Sequence, residues 1–359
     1  MRCGLYLLLA IGCELLLAQP AELARADATV LKPPLTGLIS MGRIGFVNHP
    51  GPPDNSLESI EARPETFDGV AVNITWAQLQ PDGEGLDTRA LDRALTAVEE
   101  YNRLHRSKPL AIRLRVFAGT NAPERIKRLG GDPIVVFNHE HEPVTVGRFW
   151  SDPYRILWRE LQARLAARYD DNPLIRETSV TSCSARGDEP LILPFYRASS
   201  LVFLHRAGFT DAAYRRCLKL ALDDYDAWKK TRVDFTFNPF PMTDGAPTMD
   251  RDFTLELMSE WRKKMGNRGT LMNHGLIVPL RPQLQPIFER MRALGPPFGF
   301  QMFSPETSYW PEAIDYAVTL GANSVELWPP FARFAGFAAF SVETLRMWSE
   351  RLKANKSAE

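Results

Sequence analysis

The stretch Ile175–Pro190 reads I-R-E-T-S-V-T-S-C-S-A-R-G-D-E-P, a short strand pattern that runs into a polar turn. The turn ends in Gly187-Asp188-Glu189-Pro190, so a carboxylate follows the strand and a proline stiffens the chain behind it. A carboxylate held just past the end of a strand is well placed to act as a general acid. Glu189 is therefore the first candidate catalytic residue.

On both sides of this stretch the chain alternates between strand patterns and amphipathic helix patterns. Thr88–His105, for example, carries apolar residues at three- and four-residue spacing with charges between them, which predicts an amphipathic helix. The other predicted helices are Pro153–Tyr169, Asp211–Lys229, Asp250–Met265, Gln283–Leu294, Trp310–Leu320 and Ser341–Lys353. With the opening stretch, the predicted strands are Leu35–Val47, Phe67–Thr75, Pro109–Phe117, Val233–Phe240, Gly269–Pro279, Phe298–Phe303 and Asn323–Trp328.

This pattern predicts an α/β fold of the (β/α)8 barrel type. Nearly all the strands are separated by helices and no strand pair is joined by a hairpin turn, so the strands are expected to be parallel. The competing fold, an open doubly wound sheet, would carry a glycine-rich turn after the first strand. Met41-Gly42-Arg43-Ile44-Gly45 does not have that pattern. We expect residues 29–359 to form one barrel domain.

Residues 1–28 have the layout of a secretory signal peptide, with Arg2, an apolar core and the small-residue sites Ala24-Arg25-Ala26 and Ala26-Asp27-Ala28. Glu14 interrupts an apolar run that is shorter than the ~20 residues of a spanning helix, so stable membrane insertion is not expected. Ala10-Ile11-Gly12-Cys13 has the form of a lipoprotein site, but the apolar run continues beyond it. We expect a secreted or periplasmic protein.

The charge balance and the cysteine content argue against several classes of partner and site. The 43 Lys and Arg residues equal the 43 Asp and Glu residues, which gives no electrostatic case for a nucleic acid partner or an anionic membrane. Beyond the signal peptide, Cys183 and Cys217 are either a disulfide or two buried thiols. No Cys and His cluster has structural-zinc spacing. The sequence leaves the oligomeric state open.

The functional site of a (β/α)8 barrel lies at the carboxyl ends of its strands. The side chains predicted there form a polar set with aromatic residues around it. They are Trp76, Gln78, Arg115, Asp188, Glu189, Asn238, Asn273, His274, Gln301, Glu306, Trp310, Glu326 and Trp328. Sugars suit such a set, because their hydroxyl groups bind amides and carboxylates and their CH faces stack on indole rings. We expect a carbohydrate substrate.

The chain also resembles a known family. Ile74–Asp87, I-T-W-A-Q-L-Q-P-D-G-E-G-L-D, is similar to the W-x-x-L-E-P-x-x-G-x-x-D stretch after the second strand of clan A glycoside hydrolases. Phe117–Pro123 resembles their strand-three exit, Ala167–Ile175 their helix-to-strand-four joint, and Gly187–Pro190 their N-E-P motif. The resemblance implies a barrel in which Glu189 is the acid/base, a second Glu near strand seven is the nucleophile, and no cofactor or metal is required.

Three departures from the family pattern concern the site itself. Gln80 and Asp188 stand where the family has Glu and Asn, and Glu306 comes a few residues late after strand seven. The second carboxylate is therefore Glu306 or Glu326, unless the chain is a divergent member with a different pair or a member that has lost catalysis. The family mechanism needs one carboxyl group protonated and the other ionised. The like charge of Asp188 would help keep Glu189 protonated.

Each candidate also has a structural interpretation. Glu189 is alternatively a solvated loop carboxylate, Glu306 a first-turn acid of the next helix, and Glu326 a barrel-interior group paired with Arg113 or Arg115. The three tryptophans Trp76, Trp310 and Trp328 are alternatively packing residues, and His274 an interior hydrogen-bonded residue. His139-Glu140-His141-Glu142 is either a divalent-metal site or a loop beside the cleft; we expect no metal.

These observations predict a glycoside hydrolase that cleaves a β-linked glycan. Glu189 would donate the proton, and Glu306 or Glu326 would attack the sugar or activate water. The residues predicted to bind substrate are Trp76, Arg115, Asp188, Asn238, His274, Gln301, Trp310 and Trp328. A secreted glycan-binding barrel that has lost hydrolysis is the alternative, favoured by Asp188 and Gln80. A metal-dependent hydrolase using the His139–Glu142 loop is the third hypothesis.

Overall fold

The computed structural model describes residues 30–41, 56–81, 85–138, 141–185, 189–192, 198–245, 248–331 and 333–355. By compactness the chain divides into Met1–Val30 and Leu31–Glu359, and the fold below is that of the second unit. The predicted signal peptide, residues 1–28, lies outside the described residues and stays a prediction.

Eight parallel strands close into a barrel. They are β1 (Gly37–Ser40), β2 (Gly69–Thr75), β3 (Ala111–Phe117), β6 (Ile175–Ser179), β7 (Arg232–Thr236), β10 (Gly269–Leu276), β11 (Phe298–Met302) and β12 (Ser324–Leu327). Around the barrel they follow chain order, and β12 pairs back onto β1. Seven lie inside their predicted stretches and β7 begins one residue earlier. The predicted (β/α)8 barrel is confirmed.

Helices cover the outside of the barrel. They are α1 (Ser56–Glu61), α2 (Trp76–Leu79), α3 (Arg89–Leu104), α4 (Glu124–Lys127), α5 (Asp152–Tyr169), α6 (Ala198–Arg206), α7 (Asp211–Asp224), α8 (Arg251–Met265), α9 (Gln285–Leu294), α10 (Trp310–Leu320) and α11 (Val342–Lys353). In α3 the predicted apolar stripe, from Leu91 to Tyr101, is buried against the barrel. Ser341 caps α11, because its hydroxyl accepts the N–H of Thr344.

The expectation that no strand pair is joined by a hairpin was wrong. β4 (Ile134–Phe137) pairs antiparallel with β5 (Pro143–Val146), and β8 (Phe240–Met242) pairs antiparallel with β9 (Thr248–Asp250). These strands are three or four residues long, so an alternating pattern has too few residues to stand out. Both hairpins follow the carboxyl end of a barrel strand, and they therefore border the face where a barrel carries its site.

The inside of the barrel contains a buried ionic cluster. Arg113 on β3 donates to Glu177 on β6 at 2.8 and 3.1 Å and to Glu326 on β12 at 2.8 Å. Its Nε atom also lies 3.5 Å from Asp234 on β7. All four side chains are at most 1% exposed. Burial alone would lower the pKa of Arg113, but these three carboxylates outweigh it and raise the pKa. Paired charges of this kind fix the positions of the strands that carry them.

Candidate active site

Glu189 is carried by the segment that follows β6. The backbone N–H of Leu191 donates to the carbonyl oxygen of Glu189, and the Tyr214 hydroxyl of α7 donates to the carbonyl oxygen of Pro190, both at 2.7 Å. Cys183, earlier in the same segment, is joined by a disulfide to Cys217 of α7. Of the two alternatives for these cysteines, the structure has the disulfide. The segment is thus tethered to α7 on both sides of Glu189.

The carboxylate of Glu189 meets two other predicted site residues. Its Oε2 atom accepts a hydrogen bond from Nδ2 of Asn238 at 2.8 Å and lies 3.0 Å from Nδ1 of His274. The Glu189 side chain is 16% exposed, so it is held by the protein and still reaches the surface of the cleft. The exits of the fourth, fifth and sixth barrel strands therefore contribute one polar residue each to a common site.

The orientation of the Asn238 amide is set by the backbone of β10. The Oδ1 atom of Asn238 accepts the N–H of His274 at 3.2 Å, so its Nδ2 atom must be the group that points at Glu189. The pairing of β10 with β11 is irregular between Asn273 and Leu276. At this irregularity the side-chain oxygen of Asn273 accepts the N–H of Gly275 at 2.7 Å. Such bulges re-aim side chains, and here the bulge includes His274.

Thr236 belongs to this site, although the sequence analysis did not select it. Its Oγ1 atom lies 3.1 Å from Nε2 of His274. Thr236 is the last residue of β7. The sequence does contain a pattern that indicates Thr236. Side chains alternate between the two faces of a strand, so Asp234, Thr236 and Asn238 share the inward face of this one. Thr236 was not predicted because only Asn238, two residues beyond it, was assigned to the exit of this strand.

Glu326 is sealed inside the barrel. It accepts from Nη1 of Arg115 at 2.7 Å, from Nη2 of Arg115 at 2.6 Å and from Arg113 at 2.8 Å, and it has no accessible surface. Burial alone would raise the pKa of Glu326; Arg115 and Arg113 outweigh it and lower the pKa to about 2. Glu326 is therefore the barrel-interior carboxylate of the structural interpretation, paired with Arg113 and Arg115. This position does not fit the predicted role of nucleophile, because a sugar cannot reach the carboxylate.

Arg115 is placed to hold Glu326 rather than to bind substrate. It lies on β3, its side chain is 4% exposed, and two of its nitrogens are engaged by Glu326. The predicted direct contact between Arg115 and a sugar therefore does not fit this geometry. A guanidinium that is buried and doubly hydrogen-bonded would lose that ion pair if it turned outward.

Glu306 and Gln301 lie at the exit of the seventh barrel strand. Glu306 is exposed in the connection between β11 and α10, and its backbone N–H lies 3.4 Å from the Ser304 hydroxyl oxygen. Gln301 is a buried residue of β11, 8% exposed, and is the register partner of Glu326 on β12. Of the two later glutamates, Glu306 is thus the one with a solvent-accessible carboxylate.

Two of the three predicted stacking tryptophans are packing residues. Trp76 is fully buried, and its ring contacts the rings of Tyr154 and Trp158 of α5 at centroid distances of 5.3 and 5.1 Å. Trp310 is also fully buried, with its ring stacked on Phe340 at 5.7 Å. Neither ring offers a free face to a sugar, so the prediction that they are stacking platforms was wrong. The packing alternative holds for both.

Gln80 explains part of the position of Trp76. The indole N–H of Trp76 donates to Oε1 of Gln80 at 2.8 Å. The residue that departs from the family pattern at this point therefore serves the helix-to-barrel packing. Gln78, the other residue selected here, forms a capping box with Thr75 at the start of α2.

Trp328 is the predicted stacking tryptophan that retains accessible surface. It is half-buried just beyond β12, and its indole N–H donates to the carbonyl oxygen of Met302 at 2.7 Å. This hydrogen bond joins the exits of the seventh and eighth strands and fixes the ring at the rim of the barrel. Of the three rings, Trp328 is the one placed where a ligand could touch it.

Asp188 and the first half of the candidate metal loop, His139 and Glu140, lie outside the described residues, so their predicted roles stay predictions. In the part of the chain that the structure describes, no group of three His, Cys, Asp or Glu side chains is arranged to hold a metal ion. Within the same part, none of the helices has the length and apolar character needed to cross a membrane.

No protein-family model and no curated protein matches the chain. Solved structures do. Endoglycoceramidase II from Rhodococcus sp. matches with a TM-score of 0.52 at 15% identity, over 88% of this chain and 80% of that one. Its complex with a cellobiose-like imidazole matches with a TM-score of 0.52 at 16% identity, over 89% and 80%.

A second enzyme has a similar structure. An endo-β-1,4-glucanase from Xanthomonas axonopodis pv. citri, in a triple-mutant form, matches with a TM-score of 0.51 at 10% identity, over 90% of this chain and 100% of that one. At such identities the likeness shows the fold alone. The chain therefore has the (β/α)8 barrel fold of these glycoside hydrolases, as a divergent example of it.

Proposed function

We propose that this protein is a glycoside hydrolase acting on a β-linked glycan, with Glu189 as its acid/base. The observation that carries the proposal is the position of the Glu189 carboxylate. It is partly exposed at the carboxyl end of the barrel and held through Oε2 by Asn238 and His274. The barrel fold shared with solved glycoside hydrolases supports it.

The reaction needs a second carboxylate, and we propose Glu306 for it. Glu189 gives its proton to the glycosidic oxygen as the bond to the anomeric carbon breaks. Glu306, which is exposed, either attacks that carbon to form a glycosyl ester, which water then cleaves as Glu189 takes the proton of water and Glu306 leaves, or activates water directly and takes that proton itself. Glu326 is excluded from the step by its burial and its two arginine partners. This chemistry requires no metal or organic cofactor.

The stereochemical outcome depends on the separation of the two carboxylates. A separation of roughly 5 Å would give retention of anomeric configuration, and roughly 6.5–9.5 Å would give inversion. Proton NMR of the first product formed distinguishes the two outcomes directly.

Exposed apolar side chains favour a substrate with an apolar part. Among the described residues, nine large apolar side chains are exposed, and five of these lie in connections that follow the carboxyl ends of barrel strands. They are Val135, Val202, Phe203, Met249 and Phe303. One solved structure with this fold is named for glycoceramides and another for a β-1,4-glucan. Because these side chains expose apolar surface in connections at the end of the barrel that carries the site, we favour a glycolipid over a simple glucan.

The proposal is tested by incubating the purified protein with β-glucans and with β-linked glycolipids in detergent micelles. New reducing ends should appear with wild type and be absent with Glu189→Gln. Release from the glycolipid should be the faster of the two. If no sugar is released from either class, the hydrolytic proposal fails.

A secreted glycan-binding barrel is the second candidate. The burial of Glu326 favours it, because one of the two glutamates considered for the second carboxylate is removed from the site. Glycan binding by wild type without release of reducing ends would support this candidate. For either function we propose a secreted or periplasmic location, which the disulfide between Cys183 and Cys217 supports.

A further inference from the structure

We propose that Thr236 is a positioning residue for Glu189, an inference that rests on the proposed function. The Thr236 hydroxyl holds one nitrogen of the His274 ring, at 3.1 Å, and the other nitrogen of that ring holds Oε2 of Glu189, at 3.0 Å. Thr236 does not touch the cleft itself, being 4% exposed. It acts through His274.

The ring of His274 is held at both of its nitrogens. Nδ1 faces Glu189 and Nε2 faces Thr236, on opposite edges of the imidazole. Turning the ring over would break both contacts together. The backbone of His274 is held as well, because its N–H donates to Asn238 at 3.2 Å. The imidazole thus has a single orientation that satisfies both Glu189 and Thr236.

The positions of the protons follow from the partners. Oε2 of Glu189 already accepts from Asn238, in the ionised carboxylate and in the acid with its proton on Oε1, so Nδ1 of a neutral His274 ring must carry the hydrogen that points at Oε2. Nε2 then presents a lone pair, which needs a donor, and the Thr236 hydroxyl is one. The same hydroxyl accepts a hydrogen bond when the ring is doubly protonated. Thr236 therefore satisfies Nε2 in both charge states of His274.

Two donors converge on one oxygen of Glu189. Asn238 donates to Oε2 at 2.8 Å, and Nδ1–H of His274 donates to the same atom at 3.0 Å. A carboxylate oxygen has two lone-pair sites, so these donors fill Oε2. The proton given to the leaving group is then carried on Oε1. Thr236 keeps this assignment in place by keeping the imidazole from turning.

The role is tested with Thr236→Val, which keeps the shape and removes the hydroxyl, and Thr236→Ser, which keeps the hydroxyl. The substrates are two aryl β-glycosides of one sugar, with phenol and with dinitrophenol as leaving groups. Phenol needs protonation to leave and dinitrophenol does not. Loss of one hydrogen bond should lower kcat/KM of Thr236→Val about tenfold on the phenyl glycoside. On the dinitrophenyl glycoside we expect a change of less than about twofold.

The controls decide between positioning and general damage to the fold. Thr236→Ser should stay within about twofold of wild type on both substrates, with KM unchanged in both variants. Melting temperatures are measured alongside. An equal loss on both substrates, or a Thr236→Ser variant as impaired as Thr236→Val, would overturn the proposal.

A second readout does not depend on activity. In protein labelled with nitrogen-15 histidine and assigned by His274→Gln, NMR should show a ring of His274 that is protonated on Nδ1 with a hydrogen-bonded Nε2. In Thr236→Val the Nε2 signal should move downfield, since its lone pair loses a donor. A wild-type ring protonated on Nε2 alone would overturn the proposal. If wild type cleaves no glycoside, the proposed function fails, and this spectrum alone decides the role of Thr236.

Discussion

Arg115 and Glu326 form a two-point ion pair across the barrel interior, with Nη1 2.7 Å from Oε1 and Nη2 2.6 Å from Oε2. The pair joins the third and eighth barrel strands, and Arg113 adds a further contact to the same carboxylate at 2.8 Å. These ion pairs hold the Glu326 carboxylate inside the barrel. The two carboxylates of the proposed hydrolysis would then come from the rim.

Replacing Glu326 should cost stability in a pH-dependent way. The pKa of Glu326 is lowered from 4.5 to about 2 in the folded protein, so its contribution is present above the unfolded value and is lost as pH falls toward 2. This shift corresponds to about 3 kcal/mol at neutral pH. Glu326→Gln should be destabilised by that order at pH 7 in urea unfolding.

The destabilisation of Glu326→Gln relative to wild type should shrink by about 1 kcal/mol for each pH unit below 4.5. Glu99→Gln, the same change at an exposed position of α3, is the matched control and should be neutral. A constant difference between wild type and Glu326→Gln from pH 7 to pH 3 would contradict the lowered pKa.

Glu306→Gln should abolish hydrolysis without affecting the fold. Its carboxylate is exposed, so the free energy of unfolding should change by less than about 0.5 kcal/mol. The rate should fall at least about 10²-fold, since the second carboxylate takes part in the bond-breaking step. Glu312→Gln in the first turn of α10 is a nearby exposed control. Activity retained by Glu306→Gln would remove it from the mechanism.

Removing the disulfide should loosen the segment that carries Glu189. Cys183 and Cys217 are 34 residues apart in sequence, and closing a loop of that length stabilises a fold by about 3–4 kcal/mol in the chain-entropy model. The double variant Cys183→Ala, Cys217→Ala should lose stability of that order and also lose kcat. If kcat is unchanged at a temperature where the variant is folded, the tether does not position Glu189.

The variants of Trp76 and Trp328 should differ in stability and in KM, because Trp76 is buried and Trp328 is partly exposed. Trp76→Phe should lower the free energy of unfolding by about 1–3 kcal/mol and leave KM unchanged, because the ring packs against Tyr154 and Trp158. Trp328→Phe, at the rim, should raise KM with a smaller effect on stability. Denaturant unfolding and steady-state kinetics on both variants check this. A raised KM in Trp76→Phe would mean that its ring meets the substrate.

Much of the fold could be predicted from the sequence because period-two and three-to-four spacing report which face of an element is buried. The order of the eight barrel strands and of the seven longest described helices follows from such patterns, and the shorter helices α1, α2, α4 and α6 were not predicted. The hairpins β4–β5 and β8–β9 were not predicted, because strands of three or four residues are too short to show a clear alternation of apolar and polar residues. Those hairpins lie outside the barrel and do not alter its order.

The candidate site could be predicted only in part. Glu189, Asn238 and His274 were found because residues at the carboxyl ends of parallel strands must share one face of the barrel. The same rule selected Glu326 and Trp76, which are buried. Position along a strand indicates the face a side chain points to. It does not show whether arginines from other strands seal that side chain inside, as Arg113 and Arg115 do for Glu326.

The central claim, that Glu189 is the acid/base, is tested most directly by the pH–rate profiles of wild type and Glu189→Gln on the phenyl glycoside, which needs an acid, and on the dinitrophenyl glycoside, which does not. We predict that wild type loses kcat/KM at high pH on the phenyl glycoside, where deprotonation of Glu189 removes the acid, and not on the dinitrophenyl glycoside, and that Glu189→Gln cleaves only the dinitrophenyl glycoside. A basic limb that is unchanged in Glu189→Gln, with phenyl glycoside still cleaved, would contradict the claim.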